Sequence, residues 1–166
     1  MRTIASGVAM LAAALLPAPW ADAGLLDSPP PLFAAAQGVV LYRMGPVHYR
    51  PGETDTIIRC TNVDSISVDV AVELFDQQDH PVGPAGRASL PVGGSVNFVT
   101  SAAVSVGERV VIDDLPPFDF GKARVSASAA GLSCVGFHRL SAADGSIREM
   151  ALELVKRVPQ FSSPSG

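Results

Sequence analysis

Aromatic side chains are scarce in this chain of 166 residues, at 6%, and charged ones make up only 17%. So few rings argue against glycoside hydrolysis, whose paired carboxylates need a cleft that stacks sugars. Positive charge is not in excess: 12 Lys and Arg face 16 Asp and Glu, a formal net charge of −4. A nucleic-acid surface needs clustered cations, and here Lys122, Lys156 and the arginines are scattered, so no nucleic-acid partner is expected. Cysteine is limited to Cys60 and Cys134, too few for a structural zinc site with four ligands. Gly93-Gly94-Ser95 lacks the lysine and the following helix of a phosphate loop, and no dinucleotide fingerprint occurs. No catalytic, cofactor-binding or metal residue is assigned, and no cofactor is expected.

What the sequence does have begins with an apolar N-terminus. Arg2 precedes an Ala/Leu-rich run from Ile4 to Leu16, Pro17 and Pro19 break it, and Ala21-Asp22-Ala23 offers small residues at a cleavage site. The run falls short of the roughly 20 residues that cross a bilayer. Residues 1–23 are therefore expected to be a signal peptide cleaved after Ala23, leaving no stable membrane span. The protein is expected to be exported, periplasmic or extracellular. In such a compartment two cysteines are read first as a disulfide, Cys60–Cys134. Residues 24–34 carry Ser28-Pro29-Pro30-Pro31, an extended arm or linker. Residues 35–158 form the expected domain and 159–166 a flexible tail.

The strongest local pattern is Ile66 to Asp76, where Ile66, Val68, Val70, Val72 and Leu74 alternate with Ser67, Asp69, Ala71, Glu73 and Phe75. That period of two, with β-branched residues on one side, predicts a strand. Further strands are predicted at Gly38–Tyr42, Thr56–Thr61, Gly86–Leu90, Ser95–Thr100, Arg109–Ile112, Lys122–Ala129 and Leu132–Leu140. Gly45-Pro46 and Pro51-Gly52 read as turns, and Pro91-Val92-Gly93-Gly94 as a hairpin. Ser146–Val158 fits a helix with Ile147, Met150, Ala151, Leu154, Val155 and Val158 on one face. It also fits a final strand beside Leu132–Leu140, and the fold context favours the strand. Strands at this spacing predict a single antiparallel β-sandwich of about seven or eight strands.

The ordering of Cys60-Thr61-Asn62, the strand Val68 to Asp76, Pro81-Val82-Gly83, Ala123-Arg124-Val125, Gly131-Leu132-Ser133-Cys134 and Leu154-Val155-Lys156-Arg157 resembles a loose group of small secreted bacterial β-sandwich proteins. That group carries no established activity. The resemblance implies an immunoglobulin- or fibronectin-III-like outline with one inter-sheet disulfide. Two departures from true immunoglobulin domains stand out. The chain after residue 23 has no Trp to pack on the disulfide, and Leu132 stands two before the second cysteine, where a tyrosine corner has Tyr.

Particular residues raise several chemistries. Gly131-Leu132-Ser133 begins like a nucleophile elbow, but the second glycine comes one residue late, at Gly136, and the context is strand to strand; Ser133 with His138 is thus a poor hydrolase. Asp76 and Asp79, and Asp113, Asp114 and Asp119, could offer oxygens to calcium, yet Asp in turns more simply bonds its own backbone. Met44, His48 and His138 could serve a copper carrier, the alternative reading. Phe118 and Phe120 follow Pro116-Pro117 and are the candidate partner contacts. The short strand near Gly38–Tyr42 is the candidate edge for strand addition. The leading expectation is a non-enzymatic structural or binding module of the envelope or extracellular space, with a protein partner.

Overall fold

The computed structural model describes residues 29–34, 36–142 and 145–156. The expected signal peptide, the first part of the expected arm and the expected tail lie outside the described residues. No helix occurs among the described residues. The strands are β1 (Leu32–Phe33), β2 (Ala36–Gln37), β3 (Val39–Tyr49), β4 (Thr54–Asn62), β5 (Val68–Phe75), β6 (Gly86–Leu90), β7 (Ser95–Val99), β8 (Arg109–Val111), β9 (Phe118–Ala127), β10 (Leu132–Ser141), β11 (Ile147–Ala151) and β12 (Glu153–Lys156). There are two five-stranded sheets, ordered β11-β10-β4-β7-β8 and β12-β3-β9-β5-β6, and a two-stranded ribbon of β1 and β2. The chain is all-β as expected, with more strands than the seven or eight predicted. Its pairings are antiparallel except β7 with β8, which run parallel.

The alternation read in β5 is the alternation of the fold. Val68, Val70, Val72 and Leu74 point inward and join Ile58, Cys60, Val96, Phe98 and Leu132 of the other sheet in one core. Tyr42 crosses that core, its hydroxyl donating to the Leu132 carbonyl at 2.6 Å. A buried phenol needs such an acceptor. A second, smaller cluster of Ile57, Val99 and Val104 lies on the opposite side of β4 and β7.

Cys60 and Cys134 are disulfide-bonded, but the bond is not inter-sheet. Cys60 on β4 stands directly opposite Cys134 on β10 in the same sheet, with Cα atoms 4.1 Å apart. Residues directly opposite in an antiparallel pair share a face, so both sulfurs lie on the core side.

Three further expectations are corrected. The turn predicted at Gly45-Pro46 lies within β3, whose pairing with β9 skips from Met44 to Val47. The missing N–H of Pro46 therefore leaves no ladder bond unmade. Of the stretch Gly38–Tyr42, Val39 and Val40 pair with β9 and Tyr42 is flanked by β9 and β12, so the stretch opens an 11-residue strand that is interior to its sheet from Tyr42 to Gly45. The Pro91–Gly94 turn closes no hairpin, because β6 belongs to one sheet and β7 to the other. It is held instead to the end of β4, with Gly93 N–H donating to Asn62 O and Asn62 N–H to Gly94 O.

The stretch predicted as a final strand is extended, not helical. β11 pairs with β10, Ile147 opposite Ser141 through Ala151 opposite Phe137. The chain then crosses to the other sheet at buried Leu152, whose N–H donates to Gly136 O, and β12 pairs with β3. At the other terminus the described part of the arm lies on the β5–β6–β9 sheet. Arg124 donates to Pro29 O, Arg87 donates to Leu32 O, and Phe33 is buried.

Candidate functional site

The crossing at Leu152 creates the site. β12 accompanies β3 only as far as Gly45, opposite Glu153. Beyond that point one side of β3 has no strand partner among the described residues. Val47 and Tyr49 pair with β9, so the carbonyls of Pro46 and His48 between them turn the other way, toward β4 and β10. Both find side-chain donors. His138 Nε2–H donates to Pro46 O at 2.8 Å, and the Thr56 hydroxyl donates to His48 O at 2.8 Å. Since a carbonyl only accepts, the His138 proton sits on Nε2, and its Nδ1 faces Thr56 Oγ1 at 3.4 Å. His138 and Thr56 are opposite one another in the β10–β4 ladder, so one register position supplies both donors.

His48 continues the array. Its ring meets that of His138 edge-on at 4.9 Å and that of Phe120 at 5.0 Å. Its Nδ1–H donates to Asp119 Oδ1 at 3.2 Å. Arg50 closes on the same carboxylate, its Nε 3.2 Å from both oxygens and its Nη2 closer still. The Arg50 hydrogen bond, then that from His48, holds the Asp119 carboxyl below its ordinary range, and Asp119 in turn raises Arg50. Beside the rings opens a groove of about 410 Å³, lined among others by Pro46, His48, His138, Leu140, Met150 and Leu152.

Phe120 is the outward end of this array, 61% exposed. Its φ is +56°, in the left-handed region where a side chain beyond Gly costs about 1–2 kcal/mol. The next residue explains why the chain accepts that cost. A Cβ at Gly121 would lie 2.5 Å from the Phe75 carbonyl oxygen and 2.6 Å from the Phe118 ring, so the backbone is pressed against β5 there. Phe118 turns the other way, packs on the core and tilts against Tyr49 at 6.4 Å. The two phenylalanines read together in the sequence are thus separated, one inside and one outside, at the start of β9 and not in a loop.

The other sequence candidates divide similarly. Ser133 is exposed and His138 buried on opposite faces of β10, so they do not meet. Met44 is buried, its sulfur facing Gly136 of β10, while His48 and His138 come together and Met150 joins their groove. Asp76 accepts from the Gln78 and His80 backbone N–H groups, and Asp79 pairs with Lys122. Among the described residues no three His, Cys, Asp or Glu side chains are grouped to hold a metal ion. Sequence reasoning singled out neither Arg50 nor Thr56 nor Met150, and noticed Asp119 only as a calcium oxygen. Arg50 lies 69 positions from Asp119 and Thr56 82 from His138, separations no local pattern spans.

Burial lowers the His138 pKa from 6.5, the nearby His48 charge lowers it further, and the Pro46 hydrogen bond opposes both in part. The folded protein thus prefers neutral His138. Its contribution to stability is fully present above the unfolded pKa of 6.5 and is lost as pH falls through the depressed folded pKa. The melting temperature of the protein is expected to fall between about pH 7 and pH 5. In His138→Gln, whose amide can still donate to Pro46 O, the fall should be shallower. Equal slopes in calorimetric melts of the two proteins would contradict this role.

No protein-family model, no curated protein and no solved structure matches the chain.

Proposed function

We propose that this chain is an exported, non-enzymatic binding module of the envelope or extracellular space. Its contact surface is Phe120 with the adjoining His48–His138 groove. The carrying observation is Phe120 itself, a large apolar ring held outward in a left-handed backbone conformation. Strain of this kind persists where surrounding structure over-determines it, and it clusters at functional positions. Aromatic anchors beside a groove are the usual centre of a protein contact. The two-sheet architecture, read as immunoglobulin-like in outline, supplies a rigid frame for such a surface. The reading as a non-enzyme is supported by the partners of each polar group. Asp119 is tied to Arg50, the Thr56 hydroxyl is spent on a carbonyl, and Ser133 lies on the far face of its strand.

Phe120→Gly separates contact from folding. Relief of the left-handed strain should offset the lost ring contact with His48 and the freer unfolded chain, leaving stability within about 1 kcal/mol of the parent. Capture of the envelope partner by chemical crosslinking should be lost. Unchanged capture in a folded Phe120→Gly protein would remove the proposal's main support.

One observation favours a second reading, a periplasmic carrier of a soft metal such as copper. Asp119 fixes the His48 proton on Nδ1 and so leaves Nε2 as a ligand, in a groove shared with Met150. Stoichiometric metal in protein purified without chelator or histidine tag would promote it.

A further inference from the structure

We infer that residues 24–28 carry the arm across the rest of the outer face of the β12-β3-β9-β5-β6 sheet, with Asp27 set on Arg43 and Leu25 on Val155. The receiving surface is one row of side chains in register. Val155 of β12 stands opposite Arg43 of β3, Arg43 opposite Arg124 of β9, and Arg124 opposite Glu73 of β5. Directly opposite residues share a face, and Ala123 and Val125 on either side of Arg124 belong to the core, so the whole row faces outward. The described arm already rests on it. Pro29 O accepts from Arg124 Nη2 at 3.4 Å, and three residues on, Leu32 O accepts from Arg87 of the edge strand β6 at 2.9 Å. The arm therefore runs from β9 toward β6 as the chain goes forward. Traced back from Pro29, the same line leads over β3 to β12. Burial follows the arm. Arg124, Ala71 and Phe75, outward residues of β9 and β5, are 2% exposed or less, whereas Val155 at the β12 end of the row is 59% exposed.

The five residues before Pro29 fit what that row offers. Two arginines stand opposite one another in it, and the Glu73 carboxylate is engaged by Arg124. Like charges directly opposite repel, so an acid above Arg43 is favoured. Asp27 is the sole charged residue between Gly24 and Ala34. The spacing agrees. Neighbouring strands lie about 4.8 Å apart, which puts β3 one such step and β12 two steps beyond β9. A proline biases the residue before it to extended backbone, which for Pro29 is Ser28. An extended chain advances about 3.3 Å per residue, so Asp27, two residues back from Pro29, reaches β3, and Leu25, four back, reaches β12. Alternate residues of an extended chain share a side, so Asp27 and Leu25 face the sheet together. Leu25 on Val155 takes two apolar side chains out of water. The occupant is this chain's own segment because its continuation, Pro29, is already bonded to the row. The strap covers that row, and a partner reaches Arg43 and Arg124 only by lifting it. The inference stands on the row and the arm and does not depend on the proposed function.

The test uses the full chain as recovered from cells, carrying Leu25→Cys/Val155→Cys. The native cysteines are buried and bonded to each other, which leaves the two new thiols to pair. Mild oxidation should join position 25 to position 155 within one chain, as read by peptide mapping and gel mobility without reductant. Leu25→Cys/Val92→Cys, whose second site is equally exposed at 60% on the β6–β7 turn, should stay open. Adding Asp27→Arg to the first pair should slow closure about threefold or more, and adding Asp27→Arg/Arg43→Asp should restore it. No bond between 25 and 155, equal yields with position 92, or closure indifferent to Asp27→Arg would overturn the inference. So would a bond from 25 to 155 found only between two chains, which would make the arm a contact between copies.

Discussion

Replacing Cys60 with Ser is expected to lower folding stability by about 2–5 kcal/mol under oxidising conditions. The bond closes a loop across 74 positions, for which the chain-entropy argument gives about 4 kcal/mol. It also fastens the longest continuous ladder of its sheet, two pairs in from the end at Asn62. Residues from Leu132 opposite Asn62 to Leu140 opposite Thr54 are all in register. That ladder carries Asn62 at one end and, near the other, the His138–Thr56 pair of the groove. Both cysteines are buried in the main core, so Cys60→Ser would also leave a hydroxyl and the freed Cys134 thiol among Val96, Leu132 and their neighbours. Denaturant titration of the parent and Cys60→Ser proteins, each without reductant, measures the difference. Equal midpoints would mean that the paired strands alone fix the ladder.

The second large effect is expected on the other sheet. Arg124 is 2% exposed, although it lies on the outward face of β9, opposite Glu73 of β5. Its Nε and Nη2 donate to the two Glu73 oxygens at 2.9 and 3.0 Å, and its guanidinium lies 5.2 Å from the centre of the Phe75 ring. A bidentate pair of this geometry is among the stronger polar contacts. Its removal from one side is worse than its absence, because the buried guanidinium then loses both of these charge-assisted bonds. Glu73→Ala is therefore expected to destabilise by about 3 kcal/mol, the low end of the buried-pair range because Glu73 keeps some solvent contact. Glu73→Gln keeps one acceptor and should lose less. If both variants melt with the parent, the arm segment at Pro29 and the Phe75 ring hold Arg124 without the carboxylate.

The fold was legible where one face of a strand is buried and the other is not. β5 announced itself because Val68, Val70, Val72 and Leu74 face the core while Asp69 and Glu73 do not. The same logic carried Leu132–Leu140; the final strand was read from the fold context instead, and every residue of β11 is exposed. It failed at β3, where Gly45-Pro46 read as a stop. A proline on the unpaired side of a strand breaks no ladder, and nothing local says which side that is. It failed again at Pro91–Gly94, since a tight turn reads alike whether it joins neighbours or crosses between sheets. The disulfide was readable as a pair from two cysteines in a chain expected to be exported. Its place within one sheet was not, because that depends on β4 and β10 being neighbours.

The site was legible only in fragments. His48, His138 and Phe120 drew notice as residue types, and Phe118 was grouped with Phe120 because the two are close in sequence. The left-handed backbone at Phe120 separates them. What assembles the site is the early departure of β12 from β3, which turns two backbone carbonyls toward His138 and Thr56. That event belongs to the topology, and the partners it recruits, Arg50 with Asp119 and Thr56 with His138, come from distant strands.

The most direct test of the account is a photo-reactive phenylalanine analogue at position 120, with the same analogue at exposed Val135 on the outer face of β10 as the control. The protein is expressed in its own cells and irradiated there. The account predicts a discrete adduct of defined mass from position 120 and none from position 135. Free monomer from both positions, or the same adducts from both, would contradict the claim that Phe120 and its groove are the binding surface.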